Sequence, residues 1–169
     1  IWILSKGDCL EIHDVDSGNL VHAIKTDQCC SCFAFSADGK RVAAGGVESV
    51  EIHNIKTGSV EGRFRLSKMM VSQLAFFPDD MTLAAGGCVG RTASGDIVHG
   101  TAMPPKKARS FNDIDIAFLN VKSGKIQKKL QGDRNGVFAL HFLEEELLSY
   151  HSGGQFRLWN STEERLKEK

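Results

Sequence analysis

At 169 residues the chain is long enough for one domain with a sizeable core. Its 21 lysines and arginines are balanced by 21 aspartates and glutamates, so it lacks the basic excess usual in a nucleic-acid binder. Hydrophobic residues reach 41%, glycines number 17 and prolines only 3, which excludes a disordered chain, and no apolar run approaches the roughly 20 residues of a membrane span.

The first element is Leu10-Glu-Ile-His-Asp14, where apolar residues stand four and two positions before a closing acidic or amide residue. This is the period-two pattern of a strand with one buried face, and it sends the intervening residue outward, Glu11 here and Glu51, Ala117 and Arg157 in the later copies. Asp14 is followed by Gly18, then by Leu20 and Ile24. Asx followed by Gly is turn chemistry, because the Asx side chain bonds nearby backbone and Gly accepts positive φ. The segment is therefore expected to be a hairpin.

Gln28–Phe35 is expected to be a strand that carries Cys29, Cys30 and Cys32, with Cys29 on one face and the other two on the opposite face. The group lacks CxxC spacing and has no second cluster to complete four ligands, so it is read as packing rather than metal binding. The five cysteines are an odd number, and free thiols suit a reducing, intracellular compartment, cytoplasmic or nuclear. Ala34-Phe-Ser-Ala-Asp-Gly39 through Gly46 then reads strand, turn, strand.

The pattern recurs. Val50-Glu-Ile-His-Asn54 leads to Gly58, Val60 and Phe64, and Ala75-Phe-Phe-Pro-Asp-Asp80 through Gly87 repeats the Ala34 block at an offset of 41. Further copies are Ile116-Ala-Phe-Leu-Asn120 with Gly124, Ile126 and Leu130, then Leu140-His-Phe142 through Leu148, then Phe156-Arg-Leu-Trp-Asn160. His13 and His53 occupy one equivalent position in successive copies, which points to packing. Gly86-Gly-Cys-Val-Gly90-Arg91 has the look of a phosphate-cradling loop, but no Gly-Lys-Ser/Thr follows it and it is read as a turn. Asn160-Ser-Thr162 matches a glycosylation acceptor and is read more simply as a turn. Ser161–Lys169 leaves two readings open: a charged helix opened by a Ser161/Glu164 capping box, or a further strand with Leu166 in register, the preferred one.

The closing Asx residues are 40 apart from Asp14 to Asn54, 66 apart from Asn54 to Asn120, and 40 apart from Asn120 to Asn160. The middle gap exceeds one repeat by 26 residues, an insertion at about 88–112. Arg91, Lys106, Lys107 and Arg109 face only Asp96 there, and Met103-Pro-Pro-Lys-Lys-Ala-Arg109 resists both helix and strand. This basic segment is the candidate partner-binding loop, for an acidic protein surface or an RNA backbone.

Four short strands per roughly 40 residues is the signature of a propeller blade. The chain resembles the WD40 repeat family: Phe35-Ser-Ala-Asp-Gly39 and Phe76-Phe-Pro-Asp-Asp80 are similar to the family's Phe-Ser-Pro-Asp-Gly turn, and Leu158-Trp-Asn160 is similar to its strand ending in Trp-Asp. The resemblance implies an all-β chain of about three and a half WD40-like blades, each a four-stranded antiparallel sheet. Residues 1–25 would be the second half of a blade, 26–66 a repeat, 67–130 a repeat with the insertion, and 131–169 a repeat with its last strand incomplete. The missing blades would lie outside this segment or come from another chain.

The repeats depart from the family pattern. No Gly-His dipeptide opens them, and Gly7, Val47 and Gly153 stand where the family often carries a turn aspartate. The family's His-Ser-Asp-Trp hydrogen-bond network is therefore expected to be absent. No nucleophile–base pair, paired carboxylates or metal-ligand spacing stands out, so no catalytic, cofactor or metal residue is assigned. The expected function is a non-enzymatic scaffold that binds other proteins within a multiprotein complex, without a small-molecule substrate or a membrane. An RNA- or ribonucleoprotein-associated subunit using the basic loop is the alternative, and a propeller enzyme ranks last.

Overall fold

The computed structural model describes residues 2–27, 29–88, 116–130, 136–143, 146–151 and 154–160, without the side chains of Trp2, Ser5, Lys68, Cys88 and Asn160. Among the described residues every regular element is a strand: β1 (Trp2–Lys6), β2 (Cys9–His13), β3 (Leu20–Lys25), β4 (Cys30–Phe35), β5 (Arg41–Asn54), β6 (Val60–Phe76), β7 (Thr82–Cys88), β8 (Ile116–Asn120), β9 (Lys125–Leu130), β10 (Val137–Leu143), β11 (Glu146–His151) and β12 (Gln155–Asn160). Each strand pairs antiparallel with its neighbour along the chain, in sheets of order β1-β2-β3, β4-β5-β6-β7-β8-β9 and β10-β11-β12. The sheets are open, with no strand order returning on itself.

The hairpins form where Asx and Gly place them. Asp14 accepts the Ser17 N–H at 2.8 Å, Asn54 accepts the Lys56 and Thr57 N–H groups at 3.0 and 3.1 Å, and Asn120 accepts the Ser123 N–H at 2.7 Å. Gly18, Gly58 and Gly124 follow with φ of 69°, 71° and 67°, a region that costs a residue with a Cβ roughly 1 kcal/mol or more. The second turn class also repeats. Gly39 donates to the Ser36 carbonyl and Asp80 to the Phe77 carbonyl, with φ of 66° and 55° at the two donors.

Two strands do double duty. The Ile55 N–H donates to the Lys40 carbonyl at 2.9 Å, so the two ends of β5 lie side by side. A straight strand of that length would hold them roughly 45 Å apart. β5 therefore doubles back near Glu48, whose φ is 57°. Its first arm pairs with β4 and its second with β6. β6 in turn pairs with β5 through Val60–Arg65 and with β7 through Met70–Phe76. A bulge recurs at one place in the pattern, between Cys30 and Cys32, between Val71 and Gln73, and between Val137 and Ala139.

The apolar residues divide into three clusters that separate successive layers. Leu10, Ile12 and Ile24 pack on Val42, Ala44 and Ile55. Ala43, Val50 and Ile52 pack on Val71, Leu83, Ala85 and Leu119. Ala84, Ile116 and Phe118 pack on Val137, Leu147 and Trp159. Neighbouring residues such as Val42 and Ala43 serve opposite clusters, so both faces of the middle strands are buried. At roughly 1.5–3 kcal/mol per fully buried large side chain, this layering is the main stabilising term.

That two-sided burial corrects one expectation. The position between the paired apolar residues does not point to solvent, since Glu51, Ala117 and Arg157 are all buried. The cysteine expectation changes as well. Cys29 is exposed, but the bulge reverses the alternation after Cys30, so Cys30 packs against the first cluster and Cys32 against the second.

Candidate functional site

The basic residues singled out in the sequence, Arg91, Lys106, Lys107 and Arg109, lie outside the described residues, as does the tail 161–169. The strands that bracket the insertion are described. Gly86 pairs with Ile116, so residues 89–115 leave and re-enter the sheet at the same end of the β7–β8 hairpin. The glycine-rich run begins differently from the expected turn, because Gly86, Gly87 and Cys88 belong to β7. A Cβ on Gly86 would stand 2.9 Å from Val137 Cγ1, so absence of a side chain is what lets β10 approach.

Among the described residues Cys9, Cys29, Cys30 and Cys32 are free thiols. Burial holds the Cys30 thiol above its usual range and pushes the Cys32 thiol up to about 12. The Cys32 Sγ lies 3.5 Å from the Val71 carbonyl, to which it donates. A thiol of that kind stays protonated at neutral pH, whereas nucleophilic attack and metal binding both need the thiolate.

Two polar clusters lie between the layers. In the first, the buried Glu51 carboxylate accepts from His53 Nε2 at 3.2 Å and from the Asp27 N–H at 3.3 Å, and pairs with Arg63 Nε at 2.9 Å. Arg63 also reaches Asp27 at 3.2 Å. His53 is fully buried and its Nδ1 has no hydrogen-bond partner. One repeat earlier, His13 Nε2 and Glu11 make the same contact at 3.3 Å, with His13 Nδ1 bonded to the Gly18 carbonyl at 3.3 Å. The 40-residue spacing thus carries a Glu-x-His pair as well as an apolar pattern.

The second cluster was missed in the sequence. The Trp159 indole N–H donates to Ser149 Oγ at 2.6 Å, and the Ser149 hydroxyl is hydrogen-bonded to His151 Nε2 at 2.7 Å. A polar chain therefore exists in the last repeat, built from a histidine two residues beyond the serine and not from a leading Gly-His. The signal was available. Ser149 and His151 share a face of β11 by period two, and the hairpin register sets Leu147 opposite Trp159 on that face. A Ser–His pair at this distance has the makings of a nucleophile and base. Here both residues are fully buried on β11 and meet no solvent, and the Trp159 contact ties them to β12.

A third group sits at the turn ends. The Asp80 carboxylate accepts the Ala37 and Asp38 N–H groups at 2.6 and 2.9 Å, joining two turns that are 41 residues apart in the repeat. Arg41 donates to the Asp80 carbonyl at 3.0 Å and to Glu61 at 3.0 Å, and Glu61 also accepts from Asn54 at 2.8 Å. The Ser36 hydroxyl, followed by the Lys40 N–H, holds the exposed Asp38 carboxyl down to about 2. Asp14 is likewise held below its usual value by the Ser17 N–H and hydroxyl. These groups all have partners within the turns. Among the described residues no three His, Cys, Asp or Glu converge as a metal site.

No protein-family model matches the chain, and no curated protein matches it. Among solved structures it is similar to the computationally designed Ika4 protein, with a TM-score of 0.67 over 94% of this chain and 84% of that one, at 16% sequence identity. Likeness at that level of identity extends to the fold.

Proposed function

We propose that this chain is a run of WD40-like propeller blades acting as a non-enzymatic scaffold for other proteins inside the cell. The observation that supports it is a repeated contact between layers. Ser31 Oγ donates to the Val71 carbonyl at 2.6 Å, and Ser72 Oγ donates to the Val137 carbonyl at 3.0 Å. Each serine sits in the bulge of its strand, and each valine in the bulge of the next such strand. The glycines that meet those valines, Gly45 and Gly86, repeat in the same register. One relation applied over and over generates a rotating stack, which is how blades fan around an axis.

In this reading the two arms of β5, with β4 and the first half of β6, make one four-stranded blade. The second half of β6 with β7, β8 and β9 makes the next. The scaffold assignment is supported by where the reactive residue types lie. The Ser149–His151 pair is fully buried and the partly buried Cys32 thiol is held protonated, so neither is poised for chemistry on a substrate. What such a stack offers to its surroundings is loops and strand edges, and the sequence between β7 and β8 carries the basic residues Arg91, Lys106, Lys107 and Arg109.

Affinity purification of the protein from its own cells tests this. The expected result is a reproducible set of stoichiometric protein partners that survives nuclease treatment. Recovery of RNA in their place, lost when Lys106, Lys107 and Arg109 become Ala, would transfer the assignment to ribonucleoprotein binding. Purification without any partner would remove the scaffold reading.

A further inference from the structure

β9 closes the six-stranded sheet. It pairs with β8 on one side, and among the described residues no strand pairs with its other side. Ile126 packs against the second apolar cluster and Leu130 against the third, which holds the strand down while Lys125, Gln127 and Lys129 stand exposed. The backbone of an edge strand carries N–H and C=O groups turned away from its sheet, a template for one more strand.

Charge sets this edge apart. Residues 121–130 hold four lysines and no acidic residue, in a chain with 21 residues of each sign. No carboxylate of a described residue pairs with Lys122, Lys125 or Lys129. At the same place in the preceding hairpins the cations are neutralised within the fold. Lys25 of β3 meets Asp8 at 3.9 Å, and Arg63 of β6 meets Asp27 at 3.2 Å and Glu51 at 2.9 Å.

The same lysines constrain the occupant. A second copy brought alongside by its own β9 would set lysine against lysine, and like charges directly opposite in a strand pair are destabilising. Nucleic acid fits less well, because residues 121–130 offer no aromatic ring for bases to stack on. A strand that carries carboxylates satisfies both the open backbone and the unpaired ammonium groups. We propose that β9 takes up an extended acidic segment of a partner protein as an added strand, with Asp or Glu at alternate positions facing Lys125 and Lys129. Backbone hydrogen bonds supply the attachment and the lysines the selectivity. The proposal rests on the scaffold reading and gives it a partner chemistry and a place, separate from the basic residues between β7 and β8.

The test is fluorescence anisotropy of the whole chain with a labelled peptide of alternating glutamate and threonine. A peptide of alternating lysine and threonine and a single-stranded oligouridine are the comparison probes. The acidic peptide should bind saturably, more tightly than either comparison probe, and more weakly as salt rises. Lys125→Glu together with Lys129→Glu should weaken it about tenfold or more, with strand content unchanged by circular dichroism because both side chains are exposed. Replacing Lys106, Lys107 and Arg109 by Ala should leave it unchanged. An added strand turns alternate N–H groups toward β9, so N-methylation of alternate peptide amides should abolish binding in one phase and spare it in the other. Absence of binding, an equal effect of the two methylation phases, tighter binding of the oligouridine, or binding insensitive to the β9 variant each overturns the proposal. An unchanged set of partners recovered from cells by the β9 variant also overturns it, and leaves the scaffold reading intact.

Discussion

The Ser31 hydroxyl reaches out of β4 to donate to the Val71 carbonyl at 2.6 Å, and Gly45 on the paired strand closes on the same valine side chain. A polar and an apolar contact thus fix the separation of two layers at a single residue. A Cβ on Gly45 would come within 2.8 Å of both Val71 Cγ1 and Cys32 Sγ. Gly45→Ala should therefore destabilise the chain by about 1–3 kcal/mol, the usual range for an overpacked core. Urea unfolding measures it. Val71→Ala in the same chain should recover part of the loss, because it clears one of the two obstructions.

The Trp159–Ser149–His151 chain gives a second prediction. Ser149→Ala removes the acceptor of the indole N–H in a buried space, which should cost about 1–3 kcal/mol. Ser149→Thr keeps the hydroxyl and should cost less than Ser149→Ala. Unfolding followed by tryptophan fluorescence would compare the two, and an Ala variant as stable as the parent would show that the network contributes nothing.

Thiol reactivity should follow burial. At pH 8 a soluble alkylating reagent is expected to label Cys29 first, while Cys32, with its thiol pushed up to about 12, stays unlabelled until the chain unfolds. Peptide mass spectrometry over a time course reads the order. Equal rates at Cys29 and Cys32 would contradict the packing described for β4.

Acid stability should depend on Asp38. Its carboxyl is held down to about 2 when folded, against an unfolded value near 3.9. The lowered folded value means that the stabilisation is present above roughly pH 4 and is lost as pH falls through about 2. Asp38→Asn should make the fall in stability between those limits shallower and leave the neutral-pH region comparatively flat. Thermal melts at a series of pH values check this.

Much of the layer pattern could be read from particular residues. Asp14, Asn54 and Asn120, each with Gly four places on, positioned three hairpins, because Asx and Gly act through local backbone chemistry that needs no tertiary partner. Where the reading went astray, the missing information was tertiary. Glu51 and Arg157 look like solvent residues on a one-faced strand, and only stacking on both sides buries them. Cys30 parted from Cys32 because a bulge inserts one residue without any mark in the sequence. The Ser149–His151 pair lacks a leading Gly-His, since its histidine stands two residues past the serine on the same strand. Asp80 taught the opposite lesson: in the Gly39 position of its repeat it keeps the left-handed turn and adds a carboxylate that grips the neighbouring turn.

The unbroken run of β6 from Val60 to Phe76 bears on how the chain comes apart. One piece of backbone is hydrogen-bonded to β5 at its start and to β7 at its end, so these two neighbourhoods share a spine and have no seam between them. Amide exchange should then open β4 through β9 as one block, with β1–β3 and β10–β12 exchanging as separate units. Those six strands would hold together or give way together.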